Sequence, residues 1–183
     1  MSELTTIKDL LEEEIKDLYS AERQLIKAIP KMAKGSNNQE LASAFEAHLK
    51  ETENQVKRLE RVAVLLGTEA TGKKCKGMEG VIKEGSEALD EDGDENILDL
   101  GIIGAGSRVE HYEIAGYTTA VSLAIQLGEN EAAGLLKESL KEEQAAENKL
   151  RTIAQTIIKS APTADEEDED DSESGPKSKS AKA

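Results

Sequence analysis

The sequence predicts an all-α protein, a four-helix bundle built from two antiparallel helical hairpins. Four long segments repeat apolar residues at three- and four-residue spacing, strand-like alternation is missing, and Gly, Asn and Asp clusters separate the segments. Composition agrees. The hydrophobic share of 37% is carried by Leu, Ile, Val and Ala, with one Phe, three Tyr and no Trp, so the expected core is aliphatic. Abundant Ala, Leu, Glu and Lys favour helix.

The first helix is expected over residues 5 to 34, with Ile7, Leu11, Ile15, Leu18, Leu25, Ile29 and Met32 on its inner stripe and Thr6 or Thr5 as N-cap. Pro30 should kink or loosen its last turn. The second begins at Ser36, where Ser36 and Gln39 have capping-box spacing; its stripe runs through Leu41, Phe45, Val56, Leu59, Ala63 and Leu66, and Gly67 ends it. A short amphipathic helix around Met78 to Leu89 and the acidic turn DEDGDEN then form a crossover. That turn starts like an EF-hand loop, but Gly93 is misplaced and Gly101 stands where the bidentate Glu belongs, so no calcium site is expected.

Asp94 or Asn96 caps the third helix, which turns Ile102, Ala105, Val109, Tyr117, Ala120 and Ala124 inward and ends near Gly128. Its glycines, Gly101, Gly104 and Gly106, permit close backbone approach. The fourth covers residues 130 to 160, with Leu136, Leu140, Leu150, Ala154 and Ile157 on its stripe. The bundle thus occupies residues 1–160. Residues 161–183 form an acidic, Lys-containing tail with too little apolar surface to offset the entropy of ordering, and are expected to be disordered. Short links make helices 1 and 2, and helices 3 and 4, antiparallel neighbours, and the longer crossover docks one pair on the other in a ferritin-like topology.

A net charge of −15 argues against nucleic acid or an anionic membrane surface as the main partner. No apolar run approaches the roughly 20 residues of a membrane span, and the first residues do not resemble a secretion signal, so a cytoplasmic location is expected. Cys75 is the single cysteine, which excludes an internal disulfide and any cysteine-built zinc or iron–sulfur centre. Metal, if held, must be held by oxygen and imidazole.

Charged residues belong on the outer face of a bundle helix, yet every predicted helix interrupts its apolar stripe with carboxylates. Glu22 falls between Leu18 and Leu25. His48 and Glu51, followed by Gln55, fill the gap between Phe45 and Leu59, while Glu110 and Glu113 lie between Val109 and Tyr117. Glu143 lies between Leu140 and Leu150, with Glu147 one turn later, and His111 is rotated away. Carboxylates facing one another in a low-dielectric interior repel, and protonation or bound cations must relieve them. Two divalent ions, iron by preference and manganese as the alternative, suit this donor set better than structural zinc. Tyr117 is placed to pack in the core or to hydrogen-bond one of these carboxylates.

The stretches LYSAERQL, AFEAHLKETENQ, KCKGMEGVIKEG, VEHYEIAGY and LKESLKEEQAAENKL, spread over about the first 155 residues, resemble the YciE/YciF family of bacterial ferritin-like stress proteins. The resemblance implies a ferritin-like bundle, commonly a dimer, associated with general or osmotic stress. One departure stands out: better-understood ferritin-like enzymes carry Glu-x-x-His on their second and fourth helices, whereas this chain has His48-x-x-Glu51 and no histidine in the fourth.

Two functional classes stay open. One is a dimetal redox protein acting in iron oxidation or peroxide removal; the other is a metal-free helical bundle that works by binding another protein. A storage cage is a third, weaker option.

Overall fold

The computed structural model describes residues 4–163. Among these the regular elements are α1 (Ile7–Gly35), α2 (Gln39–Leu66), α3 (Lys76–Ala88), α4 (Glu95–Gln126) and α5 (Asn130–Ile157), closed by a 3-10 turn at Ile158–Ser160. There is no strand among them. The acidic segment expected to be disordered lies almost wholly outside the described residues.

The starts of α1, α2 and α4 follow capping chemistry. Thr6 and Asp9 exchange side-chain and backbone hydrogen bonds, a full capping box for α1. At α2 the expected Ser36 cap is displaced: Asn38 accepts from the backbone of Glu40 and Leu41 at 2.9 and 3.1 Å, while Ser36 bonds back to Met32 as the end of α1. Two polar side chains compete in this link, and Asp99 of α4 decides between them. Its buried carboxylate accepts from the amides of Asn37 and Asn38 at 2.8 and 2.7 Å and fixes the α1–α2 link. Asp94 caps α4, and Gly67, at φ 71°, supplies the left-handed residue that ends α2.

Helix α1 runs through Pro30 to Gly35. Two other expectations are corrected. Ile7, the first residue of α1, is 43% exposed and does not join the buried stripe. Of the three glycines singled out in α4, only Gly106 sits at a close crossing, where a Cβ would lie 3.0 Å from Leu150 and 3.4 Å from Phe45.

The hairpins α1–α2 and α4–α5 pack face to face through α2 on α5 and α1 on α4, and α3 lies across α4 and α1. Their interior is not one continuous apolar core. One apolar slab gathers Leu11, Ile15, Leu18, Leu59, Leu66, Ala124 and Leu136; the other gathers Leu25, Ile29, Leu41, Phe45, Ile102, Leu150 and Ile153. The boundary between slabs falls at Glu22 on α1, at Glu110 and Glu113 on α4 and at Glu143 on α5, and on α2 at His48, Thr52 and Gln55. No helix among the described residues is long and apolar enough to cross a membrane.

Candidate metal centre

Between the slabs, side chains from all four long helices meet. Glu22 on α1, His48 on α2, Glu110 and Glu113 on α4 and Glu143 on α5 are all at most 5% exposed. Donor atoms of His48, Glu110, Glu113 and Glu143 lie within 4.8 Å of one another. The His48 Nε2 atom is 3.4 Å from Glu110 Oε1 and 3.7 Å from Glu143 Oε2, too far for good hydrogen bonds and close enough to share one small ion.

The remaining bonds orient these groups. Tyr117, fully buried, donates its hydroxyl to Glu22 Oε1 at 2.5 Å. Gln55 donates its amide to Glu143, and also to Glu142 at 3.0 Å. His48 Nδ1 lies 3.4 Å from Glu51 Oε2, which leaves Nε2 facing the cluster. Glu51 itself stands at the rim, with a side chain 44% exposed. Glu147 is partly buried, with Oε2 hidden and 3.8 Å from His111 Nδ1; His111 is on the surface, as its helical phase requires.

Electrostatics match the geometry. Burial, then the charge of neighbouring glutamates, pushes Glu22, Glu110 and Glu113 well above the usual carboxylate range. Glu143 is also raised by burial, offset in part by His48, Glu110 and Gln55. Burial pulls His48 down, but the Glu51 hydrogen bond and the charges of Glu143, Glu51 and Glu142 outweigh it and raise the imidazole. The layer holds far more potential negative charge than its surroundings can stabilise.

Unmet hydrogen-bonding capacity tests whether a metal fits. Among the described residues, every buried side-chain oxygen or nitrogen without a partner belongs to Glu22, His48, Gln55, Glu110, Glu113, Glu143 or Glu147. Buried polar groups are ordinarily satisfied, and orphans concentrated in one layer, nearly all on carboxylate and imidazole, call for protons or a cation. Oxygen donors with one imidazole and no thiolate suit iron(II) or manganese(II). The residues present fit a metal.

Two neighbourhoods escaped the sequence. Arg58 grips Glu142 with both terminal guanidinium nitrogens at 2.6 and 2.7 Å, sealing the α2–α5 seam beside Gln55; this pairing depends on helix register, which spacing alone does not show. Cys75, buried at the start of α3, donates to Asp17 at 2.9 Å and lies 3.0 Å from the Tyr112 hydroxyl. Burial first and the Asp17 bond second push this thiol up, keeping it protonated.

Fold and interior together define a ferritin-like helical bundle with an acidic, metal-competent middle layer. The chain belongs to the DUF892 family, described as a domain of unknown function, which it matches over residues 6–162. It is 42% identical over 155 residues to Protein YciF of Escherichia coli K12, covering 82% of this chain and 92% of that protein. The crystal structure of that protein, described there as a stress protein, superposes with a TM-score of 0.83 at 40% identity, over 86% of this chain and all of the other. YcfI from Rhodopseudomonas palustris matches with a TM-score of 0.79 at 39% identity, over 82% of this chain and 96% of its own. A two-domain Anabaena variabilis protein containing DJ-1-like and ferritin-like domains matches at 15% identity with a TM-score of 0.57, over 97% of this chain and 42% of that one, a likeness of fold alone.

Proposed function

We propose that this chain is a dimetal redox protein serving a stress response, with Glu22, His48, Glu110, Glu113 and Glu143 holding two divalent ions and Glu51 and Glu147 completing the shell. The observation that carries the reading is the run of orphaned buried polar atoms, contributed by four helices and confined to one layer. The stress role is taken from the description of the Escherichia coli relative.

Iron bound there would supply one-electron chemistry toward dioxygen or peroxide. The protein's own residues set the conditions. Tyr117 holds Glu22, Gln55 holds Glu143, and Glu51 orients His48 so that Nε2 faces inward. The apolar slabs on either side keep bulk water out.

Anaerobic addition of ferrous iron to metal-free protein is expected to raise stability saturably, by about 4 kcal/mol at a thousandfold excess over Kd. The gain should vanish in a Glu110→Ala, Glu143→Ala double variant that still folds. If wild type gains nothing, the layer is simply protonated, and the bundle acts by protein contacts instead. Iron-loaded protein should then consume peroxide or dioxygen, measured with an electrode. A homodimer is proposed too, supported by the exposed Leu4, Ile7, Leu10 and Val64 near one end of the α1–α2 hairpin; light scattering at twice the chain mass is the expected result.

A further inference from the structure

The seam between α2 and α5 has two unlike halves. On one side of the acidic layer it is shut, by Arg58 with Glu142 and Ser139 and by Gln55 with Glu142 and Glu143. On the other side it opens into a cleft of about 370 Å³. The sequence dictates this: where the two helices face each other, they present Ala44 and Ala47 against Ala145 and Ala146, and methyl groups leave a gap that longer side chains would fill. Phe45 and Leu150 complete the apolar wall.

The ends of the cleft differ. Its inner end is formed by His48 and Glu110, both nearly fully buried; their unpartnered Nε2 and Oε2 atoms lie just beneath the cleft surface, with Nε2 turned toward Glu110 and Glu143 of the acidic layer. Its outer rim carries Ser43, Glu40 and Lys149, and Lys149 is already paired with Glu40 across the mouth. An anion would meet Glu40, Glu51 and Glu110 with no free cation along the wall. A cation would lose its hydration against alanine, phenylalanine and leucine, with Lys149 at the entrance. A small uncharged molecule suffers neither cost.

We propose that this cleft binds a small neutral molecule with an aliphatic body and a hydrogen-bonding end, the body lying on the alanine walls and the polar end directed at the floor that His48 and Glu110 form. At about 30 Å³ per water-sized group, the space takes a molecule of several heavy atoms. The inference rests on the dimetal reading for what that polar end meets when the centre is loaded; the binding itself depends on the walls alone. Accordingly the cleft gives the centre a substrate class, short neutral alcohols or similar amphiphiles, in place of a charged metabolite.

The test uses three probes of one size and different charge: 1-butanol, butyrate and butylammonium. Each is titrated into the full chain carrying labelled alanine methyl groups, and methyl shifts are followed by NMR. Butanol is expected to shift Ala44, Ala47, Ala145 and Ala146 saturably, with the charged probes at least about tenfold weaker because each must shed hydration to enter. Ala146→Leu and, separately, Ala44→Leu should abolish the butanol response at the remaining cleft alanines while circular dichroism stays helical; either variant suffices if the other unfolds. Equal response to all three probes, shifts that persist in the filled variants, or shifts confined to Ala28 and Ala105, which line a separate groove between α1, α3 and α4, would overturn the proposal.

Repeating the titration with manganese(II) separates the two readings. Stronger broadening of the hydroxyl-end protons of butanol than of its methyl supports the orientation, and the reverse order overturns it. Saturable methyl shifts with no broadening uphold the cleft and count against the metal centre.

Discussion

Neighbouring glutamates on α5 meet opposite fates. Glu142 turns to the seam and is gripped by Arg58, so its charge is matched and partly hydrated; Glu143 turns inward, is fully buried, and keeps one oxygen without a partner. The contrast holds for the whole molecule. The apolar slabs and surface ion pairs are complete in themselves, whereas the layer between them is complete only with protons or cations. Stability resides in the slabs, and the layer, where it is not neutralised, costs some of it.

Breaking a slab should have the largest effect. Leu59→Ala removes a fully buried side chain and is expected to cost about 3 kcal/mol in urea unfolding, with or without metal. The layer should answer with the opposite sign. Glu113→Leu replaces a fully buried carboxylate that has neither oxygen satisfied, and is expected to stabilise metal-free protein by about 1–3 kcal/mol at neutral pH while weakening metal binding. Destabilisation of the metal-free protein by that substitution would break the comparison.

Proton linkage sharpens it further. Glu22, Glu110 and Glu113 have folded-state values raised above the reference of 4.5, so the native chain retains protons that the unfolded chain releases. Their contribution is fully present below pH 4.5 and is lost as pH rises through the folded values. Metal-free protein should therefore lose stability between mildly acid and mildly alkaline buffer, seen as a falling urea midpoint. Bound metal replaces those protons, so the stabilisation by metal should grow over the same range. Smallest is Arg58→Ala, expected to cost about 1 kcal/mol while leaving metal affinity within about threefold, because it strips Glu142 and not the layer.

Much of this was legible in the sequence because helical phase is a strong constraint. A glutamate four residues after Leu18 and three before Leu25 has to face the same way they do, and Glu22 does. The same phase correctly set His111 outside and Tyr117 within reach of a carboxylate. Phase alone does not say how deep a residue lies. Glu51 and Glu147 share the stripe with His48 and Glu143 but sit toward its edge, and their partial exposure follows from how the helices cross. Nor could spacing show that Asn38 would cap α2 in place of Ser36 with Asp99, far along the chain, holding the link amides, or that Arg58 would meet Glu142. Those depend on register between helices.

The most direct test is metal content. Protein produced in iron- and manganese-supplemented medium, purified without chelator and dialysed extensively, should retain close to two such ions per chain by elemental analysis, and the Glu110→Ala, Glu143→Ala variant close to none. Wild-type protein that emerges metal-free, and takes up no more ferrous iron or manganese than the variant, would contradict the account.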